Sequence, residues 1–83
     1  MKYTVLWTSY AESKLADLWM QARDRQGLSD AADKIDESLK SDPTAVGESR
    51  SGIRRIVHES PLGVIFSVNV DDRTVSALNV WRY

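Results

Sequence analysis

The stretch from Ile53 to Tyr83 leaves this chain very few folds to choose from. It divides into Ile53–His58, Val64–Val70 and Thr74–Tyr83, three runs rich in β-branched and aromatic residues. Between them lie Glu59-Ser60-Pro61-Leu62-Gly63 and Asp71-Asp72-Arg73. Pro with Gly in the first, and paired Asp in the second, are the chemistry of chain reversal. Strands joined by so few residues pair antiparallel, so a β-meander is predicted. Val64, Phe66, Val68 and Val70 alternate with Ile65, Ser67 and Asn69. In the last run Val75, Ala77, Asn79 and Trp81 alternate with Ser76, Leu78, Val80 and Arg82. One set of each covers a core, and the opposite face is left to solvent or a partner.

The N-terminal half supplies the cover. Lys2–Trp7 is β-rich and reads as a first strand. Ser9 with Glu12 three residues on fits a capping box, so a helix starts there. Ala11, Leu15, Leu18, Trp19 and Ala22 form its apolar stripe, and Gly27 is expected to end it near Arg25 or Gln26. A second helix follows, capped by Ser29 or Asp30, with Leu28, Ala32, Ile35 and Leu39 as its stripe. Asp42-Pro43 stops it, because the residue before proline avoids helical angles. Thr44–Gly52 reads as a loop. The expected fold is α+β, in the order β-α-α-β-β-β. A helix hairpin packs on one face of a small, mainly antiparallel sheet, in a single domain over residues 1–83.

Composition narrows the chemistry. The chain has no Cys, which removes thiolate chemistry and fits a reducing compartment. No run approaches the roughly 18 apolar residues that span a bilayer, so a cytoplasmic protein without a membrane partner is expected. The formal charge is −1, which argues against non-specific nucleic-acid binding by phosphate neutralisation. From Glu48 to Tyr83, however, five bases face four acids, so any anion-binding surface belongs to that half. A single His cannot build a multi-His metal site. The glycines at 47 and 52 enclose no Lys-Ser/Thr pair and precede a strand rather than a helix, so no cofactor or metal is expected.

What remains is Arg54, Arg55, His58, Arg82 and Tyr83, with Glu48 and Arg50 in the preceding loop. Arg and His on adjacent strands can bind a phosphate and move protons, and Tyr can stack on a base. That is the equipment of a metal-independent ribonuclease, provided the groups converge on one face. The plain alternative gives each a structural role: Arg54 and Arg55 point to opposite faces, and at least one is merely solvated. His58 beside Glu59 is then a surface histidine, and Trp81 a core or interface residue.

The whole chain resembles the RelE/ParE superfamily of type II toxin–antitoxin toxins, also called plasmid stabilisation proteins. The resemblance is carried by Tyr3-Thr4-Val5-Leu6-Trp7, Ala11, Leu15, Ala32, Ile35, Leu39 and the Asp42-Pro43 stop. It continues through the loop from Gly47, the Arg54-Arg55 strand, Pro61-Leu62-Gly63-Val64-Ile65-Phe66-Ser67-Val68 and the closing Val80-Trp81-Arg82-Tyr83. It implies the same β-α-α-β-β-β order. It also implies one of three activities: an endoribonuclease that binds and cleaves mRNA on the ribosome, a DNA gyrase inhibitor, or an inactive relative that only binds its antitoxin. A cognate antitoxin is the implied partner in each case. For the cleaving members it implies a basic-aromatic tail, matched by Arg82-Tyr83, and a loop carboxylate, matched by Glu48. It also implies a central-strand arginine where this chain has Leu62-Gly63-Val64.

Overall fold

The computed structural model describes residues 2–44, 48–49 and 54–83. The meander forms as the sequence predicts. β3 (Arg54–Glu59), β4 (Leu62–Asn69) and β5 (Thr74–Arg82) pair antiparallel in succession. Ser60–Pro61, joined by a cis peptide, makes the first reversal. The second is clamped by Asn69, whose Oδ1 accepts from the Asp72 N–H at 3.1 Å, and Arg73 adopts a left-handed φ of 51°.

β1 (Thr4–Trp7) adds to β5 in parallel, with Val5 opposite Val75 and Trp7 opposite Ala77. A two-residue strand, β2 (Glu48–Ser49), pairs with β3 at the far edge, within the stretch expected to be a loop. The sheet order is β1-β5-β4-β3-β2, so the strand last in sequence lies inside the sheet. Arg50 lies outside the described residues.

The helix boundaries differ from expectation, for local reasons. α1 spans Ser9–Gln21, but its N-cap is Thr8, whose Oγ1 accepts from the Ala11 N–H at 3.1 Å. Thr8 also faces β5, its N–H donating to the Ala77 carbonyl, so the tertiary partner decides which hydroxyl caps. α2 spans Arg25–Ser41 and starts earlier than Ser29. Its cap is Asp24, whose Oδ1 accepts from the Gly27 N–H at 2.9 Å. Gly27 therefore sits in the first turn of α2 rather than at the end of α1. A side chain there would run into the Asp24 carboxylate. The Asp42-Pro43 stop holds, with Asp42 as the C-cap.

The core lies between the helices and one sheet face. Leu28, Ala31, Ile35 and Leu39 from α2 meet Leu62, Val64, Phe66, Val75, Ala77 and Val80. Ala31 is buried where Ala32 was expected to lead, and Ala32 is half-buried beside it. In β5 the simple alternation fails. Phe66 pairs with Ala77 but Ile65 pairs with Asn79, so Leu78 is an extra residue, a β-bulge. The inward set thus changes from Val75 and Ala77 to Val80, which the unbroken alternation assigned to the other face. Val70 leaves the β4 pattern as well: it belongs to the turn and is exposed. Beyond Ala77, α1 takes over from β1 along β5. Thr8 Oγ1 donates to the Leu78 carbonyl at 3.4 Å and Lys14 Nζ to Asn79 Oδ1 at 3.1 Å. These polar groups satisfy an edge that would otherwise be bare.

Candidate functional site

Register fixes where each candidate side chain can act, because paired residues share a face and neighbours alternate. His58 pairs with Gly63, and Gly63 with Trp81, so these three share the face away from the helices. Gly63 has no side chain, and the Trp81 indole occupies the space above it: a Cβ there would lie 2.6 Å from the ring. His58 approaches that indole nearly at a right angle, ring centres 6.1 Å apart. On its other side His58 meets Tyr83 at 5.3 Å and 89°. Edge-to-face geometry of this kind suits the ring quadrupoles. Tyr83 is held in place by its N–H, which donates to the Pro61 carbonyl at 3.0 Å, while the residue remains 63% exposed.

Arg54 shares this open face, opposite Ser67, and is exposed. It stands four residues from His58, roughly 13 Å along the strand. Arg55 and Arg82 do not share the face. Arg55 pairs with Phe66 and Arg82 with the buried Leu62, which places both on the helix side. Arg55 is half-buried and already has a partner within the chain. Arg82 borders a cleft with Asp24, Leu28 and Pro61, where the helix hairpin meets the β3–β4 turn. Glu48 stands in β2 opposite Ile56. The six candidate residues therefore do not gather on one face: the open side collects His58, Tyr83 and, farther along, Arg54. Among the described residues no cluster of three or more His, Asp or Glu side chains is placed to hold a metal ion.

One surface feature lay hidden in the sequence. Trp19, expected to point inward, is 42% exposed, and Met20 is 69% exposed. With Trp7, Glu12, Leu15 and Ala16 they line a shallow apolar groove on α1. The signal was present: Ala16, Trp19 and Met20 recur at helical spacing as a second stripe beside the inward one.

No protein-family model and no curated protein matches the sequence. Solved structures do. The *Mycobacterium tuberculosis* RelBE2 toxin–antitoxin complex contains a chain that superposes with a TM-score of 0.81 at 20% identity, covering 100% of both chains. The chromosomal ParDE system of *Pseudomonas aeruginosa* gives a TM-score of 0.66 at 18% identity over 98% of this chain and 96% of that one. The *Escherichia coli* RelBE complex gives 0.65 at 14% identity, with the same coverage of 98% and 96%. The chain thus has the RelE/ParE toxin fold, as its sequence pattern implied. The fold is not confined to toxin complexes. TrmO from *Pseudomonas aeruginosa* matches with a TM-score of 0.66 and 22% identity over 96% of this chain and 35% of that one. Function must therefore be argued from the site.

Proposed function

We propose that this protein is the toxin of a type II toxin–antitoxin pair, held by a cognate antitoxin, and that its free form engages an RNA strand on the open face of the sheet. The observation that carries the target is the His58–Tyr83 ring pair beside Trp81, exposed at one end of a face that also bears Arg54. Unstacked RNA bases are recognised by stacking on aromatic and histidine rings, and a cation in line takes the phosphate. Here His58 is the group able to move a proton, Tyr83 the stacking and orienting group, and Arg54 the phosphate contact.

A second reading rests on a different observation: Arg82 and Arg55 lie on the side opposite His58. Cleavage requires a base, cations and an acid around one phosphate. Their separation favours a protein that acts by contact, on gyrase or on its antitoxin alone. Controlled expression in a bacterial host separates the two. Growth arrest with new mRNA 5′ ends, abolished by His58→Ala but retained by Arg82→Ala, supports the open-face ribonuclease. Arrest with intact mRNA, insensitive to His58→Ala, supports action by protein contact.

A further inference from the structure

We propose that the outward stripe of α1 docks a second copy of this chain, across a two-fold axis that passes beside Ala16. α1 has two apolar sides. Ala11, Leu15, Leu18 and Ala22 pack toward the core, while Ala16, Trp19 and Met20 face outward with Trp7 at one end. A contiguous outward patch of this kind marks an interaction surface more often than scattered exposed residues do.

The patch is pre-organised. The Trp19 indole N–H donates to Ser29 Oγ at 3.2 Å, and the Arg25 guanidinium lies 4.5 Å from its ring centre. Arg25 is itself anchored, donating to the carbonyls of Trp19 and Met20 at 3.2 and 3.3 Å. Little conformational freedom is left to lose when a partner arrives.

Charge selects the occupant. Glu12 closes one end of the stripe and Arg25 the other. Among the described residues neither forms an ion pair within the chain. An antiparallel copy of α1 brings each Glu12 toward the other copy's Arg25, whereas a parallel copy sets like against like. Because the Arg25 guanidinium reaches back to the Met20 carbonyl, the midpoint along α1 between the two charges falls at Ala16, the smallest side chain of the stripe, which allows the two helices to approach closely. Each Trp19 then falls beyond it, toward the partner's Glu12 end. The surface is self-complementary under a two-fold operation, as an isologous interface must be. One helix stripe is well short of the roughly 800 Å² per partner of a standard stable interface. The dimer is therefore reversible and concentration-dependent. This inference is independent of what the sheet face binds, although a partner covering the helix hairpin would compete with it.

Sedimentation equilibrium of the isolated full chain, from micromolar to millimolar concentration, tests it. The expected result is a monomer–dimer equilibrium that Ala16→Glu weakens by at least about tenfold. Glu12→Arg and Arg25→Glu should each weaken it too, and the double charge reversal should restore it. Circular dichroism checks that each variant is folded; if Ala16→Glu does not fold, the charge reversals decide. A wild type that stays monomeric throughout, a dimer indifferent to folded Ala16→Glu, or a double reversal no better than its singles would overturn the proposal.

Discussion

Gly63 lies beneath the Trp81 indole: the two pair across β4 and β5, and a methyl group on Gly63 would come within 2.6 Å of the ring. The glycine is required by the close approach of a neighbouring side chain, since the strand itself would accept any residue with a Cβ. Gly63→Ala should destabilise the fold by about 1–3 kcal/mol through overpacking. In a Trp81→Ala background the same change should cost almost nothing. Urea unfolding of the four proteins of this cycle measures the coupling directly; equal costs in both backgrounds would refute the steric account.

Asp24 and Gly27 make a second coupled pair, at the start of α2. Alanine is preferred to glycine inside a helix by about 0.8–1 kcal/mol. At position 27 that gain is opposed, because the new methyl displaces the capping carboxylate, a loss of about 1 kcal/mol. Gly27→Ala should therefore be close to neutral alone and stabilising by about 1 kcal/mol in an Asp24→Ala background. Thermal unfolding of both pairs reads the difference.

The bulge at Leu78 invites a deletion. Without Leu78, Ala77 would still oppose Phe66, Asn79 would oppose Ile65 and Val80 would oppose Val64, giving an uninterrupted ladder. The variant loses the Thr8 hydroxyl bond to the Leu78 carbonyl but keeps every inward residue. It should remain folded and cooperative. Deleting Ser76 should abolish folding, because it shifts the strand against both β1 and β4. Near-UV circular dichroism and cooperative melting distinguish the two.

Lys40 is held above its ordinary pKa of 10.5 by the hydrogen bond and charge of Asp36, one turn earlier at 2.9 Å. A group with a raised folded-state pKa adds stability that is fully present below its unfolded value. That stability is lost as pH rises through the folded value. The pair's contribution should thus be constant through neutral pH and disappear only in the strongly alkaline range. Because Lys40 is solvent-accessible, salt should diminish it as well. Lys40→Met melting curves at neutral and alkaline pH, at low and high salt, check both trends.

The fold was legible because its signals were local. β-branched runs, the Ser60-Pro61 and paired-Asp reversals, and the Asp42-Pro43 stop each act within a few residues, and each took effect where it stands; Gly63, read with Pro61 as part of the first reversal, lies inside β4 instead. Most misreadings came from contacts distant in sequence. Thr8 rather than Ser9 caps α1 because β5 receives the same residue. Gly27 is a different case: it looked like a helix end, although the Asp24 cap that places it inside α2 stands only three residues before it. The bulge left no trace, because Leu78 continues a plausible alternation. The candidate site suffered most. That Arg54 and Arg55 part company, and that Arg54 is the one on the His58 side, follow from strand alternation alone; that this side turns away from the helices depends on packing. That Arg82 leaves His58 depends on two successive registers.

β1 is synthesised well before β5, its neighbour in the sheet. Until Thr74–Ala77 leave the ribosomal tunnel, the nascent N-terminal strand has no ladder to join. The two helices likewise lack Val75, Ala77 and Val80, half of the buried sheet residues that cover their apolar stripes. Closing so long a loop costs chain entropy before the contacts it allows can offset it. Translation that stalls before β5 therefore yields fragments without a domain. Whatever the open face of the sheet does, it begins only once β5 has been made and paired.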